Sequence, residues 1–144
     1  MNVTQISFPQ QLMGIVVISV SMVLGCGGGS GPRLATVSGT VTLNGQPLPD
    51  ALVSFYHGED RPSHGTTDAS GHYELEFTAD RKGALIGENV VRITLATVSG
   101  EGVKPRKETI PIMYNSDSEL TYEVKSGSNE NANFDLKKSG GGGG

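Results

Sequence analysis

From Thr36 onward the apolar residues recur at every second position, and that period decides what this chain can fold into. Val37, Gly39, Val41 and Leu43 alternate with Thr36, Ser38, Thr40 and Thr42, and Ala51, Val53 and Phe55 alternate with Leu52, Ser54 and Tyr56. The pattern returns in Tyr73, Leu75 and Phe77, in Val91, Ile93 and Leu95, in Leu120, Tyr122 and Val124, and in Ala132, Phe134 and Leu136. Successive side chains of a strand point to opposite faces, so each run can bury one face and leave the other wet. A helix needs a stripe of period 3.6, and no segment after the glycine-rich stretch carries one of useful length. Turn signals separate the runs. Asn44-Gly45 is the strongest short hairpin signal, followed by Pro47 and Pro49. His57 to Ser63, with Gly58 and Pro62, reads as a loop, and in Asp68-Ala69-Ser70-Gly71 the aspartate can cap the turn while Gly71 takes positive φ. Six or seven short strands so spaced predict an all-β fold: a single antiparallel β-sandwich over residues 36–138, its two inner faces built from the alternating apolar residues.

The residues ahead of this domain say where it sits. Cys26, the only cysteine, follows the uncharged apolar run Leu12 to Leu24 and Gly25, and precedes Gly27-Gly28-Gly29-Ser30-Gly31. The run is shorter than the ~20 residues a transmembrane helix needs and fits the ~7–15-residue core of a secretory signal. Small Gly25 suits a peptidase cut between Gly25 and Cys26. The arrangement resembles the signal peptide and lipobox of bacterial lipoproteins, which implies diacylglycerol on the Cys26 sulfur and removal of residues 1–25. Two features depart from that family: Met1 to Gln11 holds no Lys or Arg, and Leu24 is larger than usual two positions before the cysteine. An uncleaved anchor extended through Ile6 and Phe8, and an ordinary secreted protein with a stray thiol, are the competing readings. Residues 26–35 then form a lipidated tether that spans roughly 30 Å when extended. Residues 139–144, nearly all glycine, have nothing to bury and are expected to be disordered.

Charge and cysteine use exclude some classes. A net charge of −4 with no basic face argues against nucleic acid. The densest basic group, Lys104, Arg106 and Lys107, is interrupted by Pro105, offset by Glu101 and Glu108, and reads as a solvated loop. A single cysteine permits no intrachain disulfide, so packing must hold the domain together in an export compartment.

The run Val37 to Phe55, with Gly39-Thr-Val41, a turn, and Pro47-Leu48-Pro-Asp-Ala51-Leu-Val53-Ser-Phe55, is similar to the opening of the carboxypeptidase regulatory-like domains. Thr67-Asp68-Ala69-Ser70-Gly71-His72-Tyr73-Glu74-Leu75 and Gly83-Ala84 through Gly87 to Ile93 continue the likeness. Ile110-Pro111, Tyr114-Asn115, Ser118 to Thr121 and Phe134-Asp135-Leu136 resemble lipid-anchored versions from planctomycete-type bacteria. The resemblance covers roughly 36–138 and implies a transthyretin-like (prealbumin-like) sandwich of about seven strands. Asp50 stands where many relatives carry glycine; both suit the turn. A transthyretin-like branch that hydrolyses 5-hydroxyisourate carries histidine and Tyr-Arg-Gly-Ser motifs that this chain lacks.

Candidate chemistry is sparse. His57, His64 and His72, with Glu59, Asp60 and Asp68, are the one concentration of metal-ligand types, but no recognised ligand spacing is present, so a polar hairpin rim is expected and no metal or other cofactor. Asp68 to Gly71 offers too few carboxylates for calcium. No Gly-x-Ser-x-Gly elbow and no nucleophile–base pair can be named from motifs. Without Trp, and with Tyr73 and Tyr122 on inward positions, only Tyr56 and Tyr114 are left as sugar platforms. The expectation is a non-enzymatic, lipid-anchored β-sandwich of the cell envelope acting as a structural or interaction module, its partners the membrane through Cys26 and envelope proteins. The alternative is a ligand-binding lipoprotein for a small molecule, peptide, carbohydrate or metal, with Tyr56, His57, His64, Asp68 and His72 on the rim and the loops Tyr56 to Thr66 and Leu95 to Ile110 capping one end.

Overall fold

The computed structural model describes residues 31–95 and 106–138. Gly25, Cys26, Lys104 and the glycine tail lie outside the described residues. In chain order the elements are β1 (Leu34–Leu43), β2 (Gln46–Pro47), β3 (Ala51–Tyr56), β4 (Ser63–Thr66), β5 (His72–Glu74), β6 (Glu76–Thr78), β7 (Arg81–Lys82), β8 (Ala84–Leu85), β9 (Gly87–Leu95), a 3₁₀ turn at Ile112–Tyr114, β10 (Thr121–Val124), β11 (Ser128–Asn129) and β12 (Phe134–Leu136). They form two six-stranded sheets, the all-β sandwich that the alternation predicts.

The first sheet is built on β1, the longest strand. Val37 and Val41 turn backbone groups toward Leu75, Gly71 and Leu48, while Thr36 and Ser38 turn theirs toward Gly127 and Ala132. One edge of β1 therefore carries β8, β5 and β2, all antiparallel. The other edge carries β11 and β12, and both run parallel to it. Sequence alternation specifies which face a residue occupies but not strand direction, so these two parallel pairs are a departure from the all-antiparallel expectation. The second sheet, in the order β10-β9-β3-β4-β6-β7, is antiparallel throughout.

The hairpin at Asn44-Gly45 is present: Leu43 pairs with Gln46 across it, and both turn residues have positive φ, 52° and 80°. Asp50 also has positive φ, at 57°, a backbone conformation that glycine adopts without steric cost. The turn at Asp68 closes as expected. Its Oδ1 accepts from the backbone N–H of Ser70 at 2.9 Å and of His72 at 3.0 Å, with Gly71 at φ 78°.

Two strand boundaries differ from the sequence reading. Ser63 to Thr66 is a strand rather than loop, although it has no apolar alternation. Residues 72–78 are not one strand but two. Tyr73 pairs with Gly39 in the first sheet, whereas Glu76 pairs with His64 in the second, so the chain changes sheets at Leu75. Strands that switch sheets make the corners of such sandwiches.

Between the sheets lie Val37, Val41, Tyr73 and Leu136 from one side and Val53, Phe55, Val91, Ile93 and Val124 from the other, all buried. Phe55, Tyr122 and Phe134 pack edge to face, with centroids 5.8–6.4 Å apart. Such pairs add roughly 0.5–1.5 kcal/mol each beyond area burial. Polar groups in this core are satisfied. Tyr73 donates its hydroxyl to the Ala132 carbonyl, and the Thr67 hydroxyl donates to Leu48 O while accepting from Ala51 N–H. Burial holds the Tyr73 phenol far above its ordinary value, so it stays a neutral donor.

Candidate functional site

The outer face of the second sheet presents a cross-strand row. Arg92 on β9 lies opposite Ser54 on β3, Ser54 opposite His64 on β4, and His64 opposite Glu76 on β6. Directly opposed residues on one face of a sheet are neighbours, and diagonal ones remain within reach of long side chains. Tyr56, diagonal to Arg92, places its ring 4.8 Å from the guanidinium carbon. Ser54 Oγ and His64 Nδ1 share a hydrogen bond of 2.8 Å, and Ser54 is only 4% exposed although it faces outward. Burial, and secondarily the nearby Arg61 charge, hold the His64 imidazole below its usual range, so it is neutral at pH 7.

One wall of this face comes from the segment after β9. The Glu108 carboxylate accepts from Leu95 N–H at 3.2 Å and from Ile110 N–H at 2.8 Å. Asn115 donates from Nδ2 to Ile110 O, and its Oδ1 accepts from the N–H of Ser116. Leu52, Ser54, Tyr56, Arg92 and Thr94 form the floor of a shallow depression of about 380 Å³, with Glu108, Asn115 and Ser116 on its wall. An adjoining depression of about 450 Å³ shares Leu52 and His64 and extends to Glu74 and Glu76.

The five rim residues named from sequence divide into three places. Tyr56 and His64 line the depression. His57 lies in the loop after β3, its Nδ1 3.2 Å from Asp60 Oδ2. Asp68 and His72 belong to the turn between β4 and β5, whose Thr67 bonds to Ala51 at the start of β3. The start and end of β3 are opposite ends of a strand, so His57 and Asp68 do not converge. Among the described residues no group of three His, Cys, Asp or Glu is placed so that it could hold a metal ion.

Of the two loops expected to cap one end, residues 96–105 of Leu95 to Ile110 lie outside the described residues; Tyr56 pairs with Val90 and Leu95 with Ala51, so β3 and β9 finish at opposite ends of their antiparallel pair. Tyr114 is half-buried and accepts a hydrogen bond from Lys137 N–H at 3.2 Å. Arg106, in the basic group read as a solvated loop, is exposed and pairs with Asp50 at 3.1 Å. The sequence reading missed Arg92, Ser54 and the Glu108–Ser116 wall. The one local signal for Arg92 is its outward place between Val91 and Ile93; its meeting with Tyr56 depends on strand register.

The chain matches no protein-family model and no curated protein. Among solved structures it is similar to a DUF3823 family protein from Parabacteroides merdae ATCC 43184, with a TM-score of 0.38 and 16% identity over 74% of this chain. The match spans 46% of that protein, less than half of its length.

Proposed function

We propose that this chain is a non-enzymatic, lipid-anchored β-sandwich of the carboxypeptidase regulatory-like kind, held at a bacterial cell envelope through Cys26 and working through its surface. The observation that carries the reading is the position of Cys26, between the apolar run Leu12 to Leu24 and the glycines that lead to β1. One acyl chain anchors a protein only marginally, at about 0.8 kcal/mol per buried CH₂, whereas two or three on Cys26 make release negligible. The Ser54–His64 contact fits a buried hydroxyl satisfied by an imidazole. Its outer neighbour Glu76 is paired by strand register, with no hydrogen bond to the imidazole among the described residues.

The test is the intact mass of the protein extracted from membranes, beside a Cys26→Ser control. A mass of residues 26–144 plus a diacylglycerol, with or without an amide-linked chain, and loss of membrane retention in the control, are expected. An unmodified full-length mass, or unchanged retention after Cys26→Ser, overturns the anchor. A second reading, ligand binding, is favoured by the Arg92–Tyr56 stack in the depression of the second sheet.

A further inference from the structure

Four basic side chains around the sandwich have partners. Lys82 pairs with Glu74, Arg106 with Asp50 and Lys137 with Asp135, and Arg81 donates to Pro32 O while lying over the Phe77 ring. Arg92, like Arg33, Arg61, Lys107, Lys125 and Lys138, makes no side-chain ion pair or hydrogen bond among the described residues, but it is the one of these that lines the depression, where it lies over a tyrosine ring. The Arg92 guanidinium carbon lies 4.8 Å from the centroid of the Tyr56 ring. The Glu108 carboxylate that shares the depression makes no ion pair with it; its two oxygens accept from the backbone N–H groups of Leu95 and Ile110. A guanidinium with no ion-pair or hydrogen-bond partner among the described residues is matched to a planar anion that can take two parallel N–H bonds, and a carboxylate is that anion.

The groups around it narrow the rest of the ligand. Thr94 offers a hydroxyl, Ser116 an Oγ that can accept while its proton goes to Asn115 Oδ1 at 3.1 Å, and His64 offers Nε2, its Nδ1 being held by Ser54. Leu52 and the Tyr56 ring supply a small apolar floor. Hydroxyl and imidazole partners on the rim with an apolar patch below suit a ring that is polar at its edge and C–H-bearing on its face. The volume, about 380 Å³, falls within the roughly 300–1,000 Å³ of small-molecule sites. We infer that this depression binds an acidic sugar, with Arg92 holding its carboxylate and Thr94, Ser116 and His64 meeting its hydroxyls. The inference requires neither the lipid on Cys26 nor any particular envelope partner, so it can fail while the anchor stands, and the reverse.

The experiment is a titration of the isotope-labelled full chain with D-glucuronate, followed at the Arg92 Nε–H and backbone amide resonances. Glucose and acetate serve as single-feature probes. Glucuronate is expected to shift Arg92 and the amides of Thr94 and Ser116, and to bind more tightly than either probe. Arg92→Gln is expected to weaken glucuronate binding about tenfold or more while the rest of the spectrum keeps its dispersion. Tyr56→Phe, which keeps the ring, is expected to bind like the parent, and Tyr56→Leu more weakly. No shift with glucuronate, or unchanged binding in Arg92→Gln, overturns the site. Glucose binding as tightly as glucuronate overturns the carboxylate assignment, and acetate doing so overturns the sugar.

Discussion

At the scale of single residues, two positions show opposite uses of a missing or tolerated side chain. Asp50 accepts a left-handed backbone because the turn into β3 needs one, and its exposed carboxylate meets Arg106. Gly39 needs no special dihedral angle. It lies at the centre of β1, where an added Cβ would overlap the Ala132 carbonyl. The Ala132 backbone sits there because its N–H bonds to Ser38 O and its carbonyl takes the Tyr73 hydroxyl. Neither partner can retreat without breaking a buried hydrogen bond. Gly39→Ala is therefore expected to destabilise the sandwich by about 2–4 kcal/mol, combining overpacking with a damaged buried bond. Denaturant unfolding followed by tyrosine fluorescence measures it; a loss below ~1 kcal/mol would mean that the 130–133 segment moves aside cheaply.

At the scale of elements, what was legible in the sequence was whatever is local. The inward residues of β1, β3, β9 and β12 could be read directly because strand alternation is a property of a few neighbouring residues. The Asn44-Gly45 hairpin and the Asp68 turn were legible for the same reason. β4 was not, because its inward positions are Ser63 and Gly65, and a Cβ on Gly65 would strike the Glu74 carbonyl. Close packing of backbones there replaces the apolar signal. The parallel pairing of β1 with β12 was also hidden. It rests on partners far apart in sequence, such as Thr42 Oγ1 on Asp135 Oδ1 and Thr40 N–H on Asn133 Oδ1. The change of sheets at Leu75 makes that residue a test of cooperativity between the sheets. Leu75 is 1% exposed and its N–H bonds to Val37 O, while its carbonyl accepts from Gly83 N–H. Leu75→Ala is expected to cost about 2–5 kcal/mol, against less than ~1.5 kcal/mol for Leu43→Ala at the half-buried end of β1. Equal costs, measured by the same denaturant midpoints, would show that the corner is no more important to packing than a strand end.

For the whole molecule, stability should fall with acid in two separate windows, because the shifted groups titrate apart. His64 is neutral in the fold and held below its ordinary value of 6.5. Above that value it is neutral in folded and unfolded chains alike, and its contribution is complete. As pH falls below 6.5 the unfolded chain takes the proton first, so stability declines until the folded imidazole is protonated too. The groups facing it, Arg61 and Arg92 with Glu76 beyond, leave burial as the main cause and Arg61 as the second. Asp68 and Asp135 behave in the same sense at lower pH. Hydrogen bonds from Ser70 and the His72 backbone lower the first, and bonds from Lys137 and Thr42 lower the second, both below 3.8. Their support is complete above that value and is lost as pH drops through the folded values. The windows can be separated by one substitution. His64→Gln keeps a side chain able to bond Ser54 but cannot titrate. Unfolding free energy measured from pH 7.5 down to pH 3 should slope downward below about 6.5 in the parent and stay flat there in the variant, with both falling together once the carboxylates protonate. Parallel curves across the upper window would show that the imidazole has the same proton affinity folded and unfolded. The Ser54–His64 contact would then be a surface hydrogen bond with no linkage to folding.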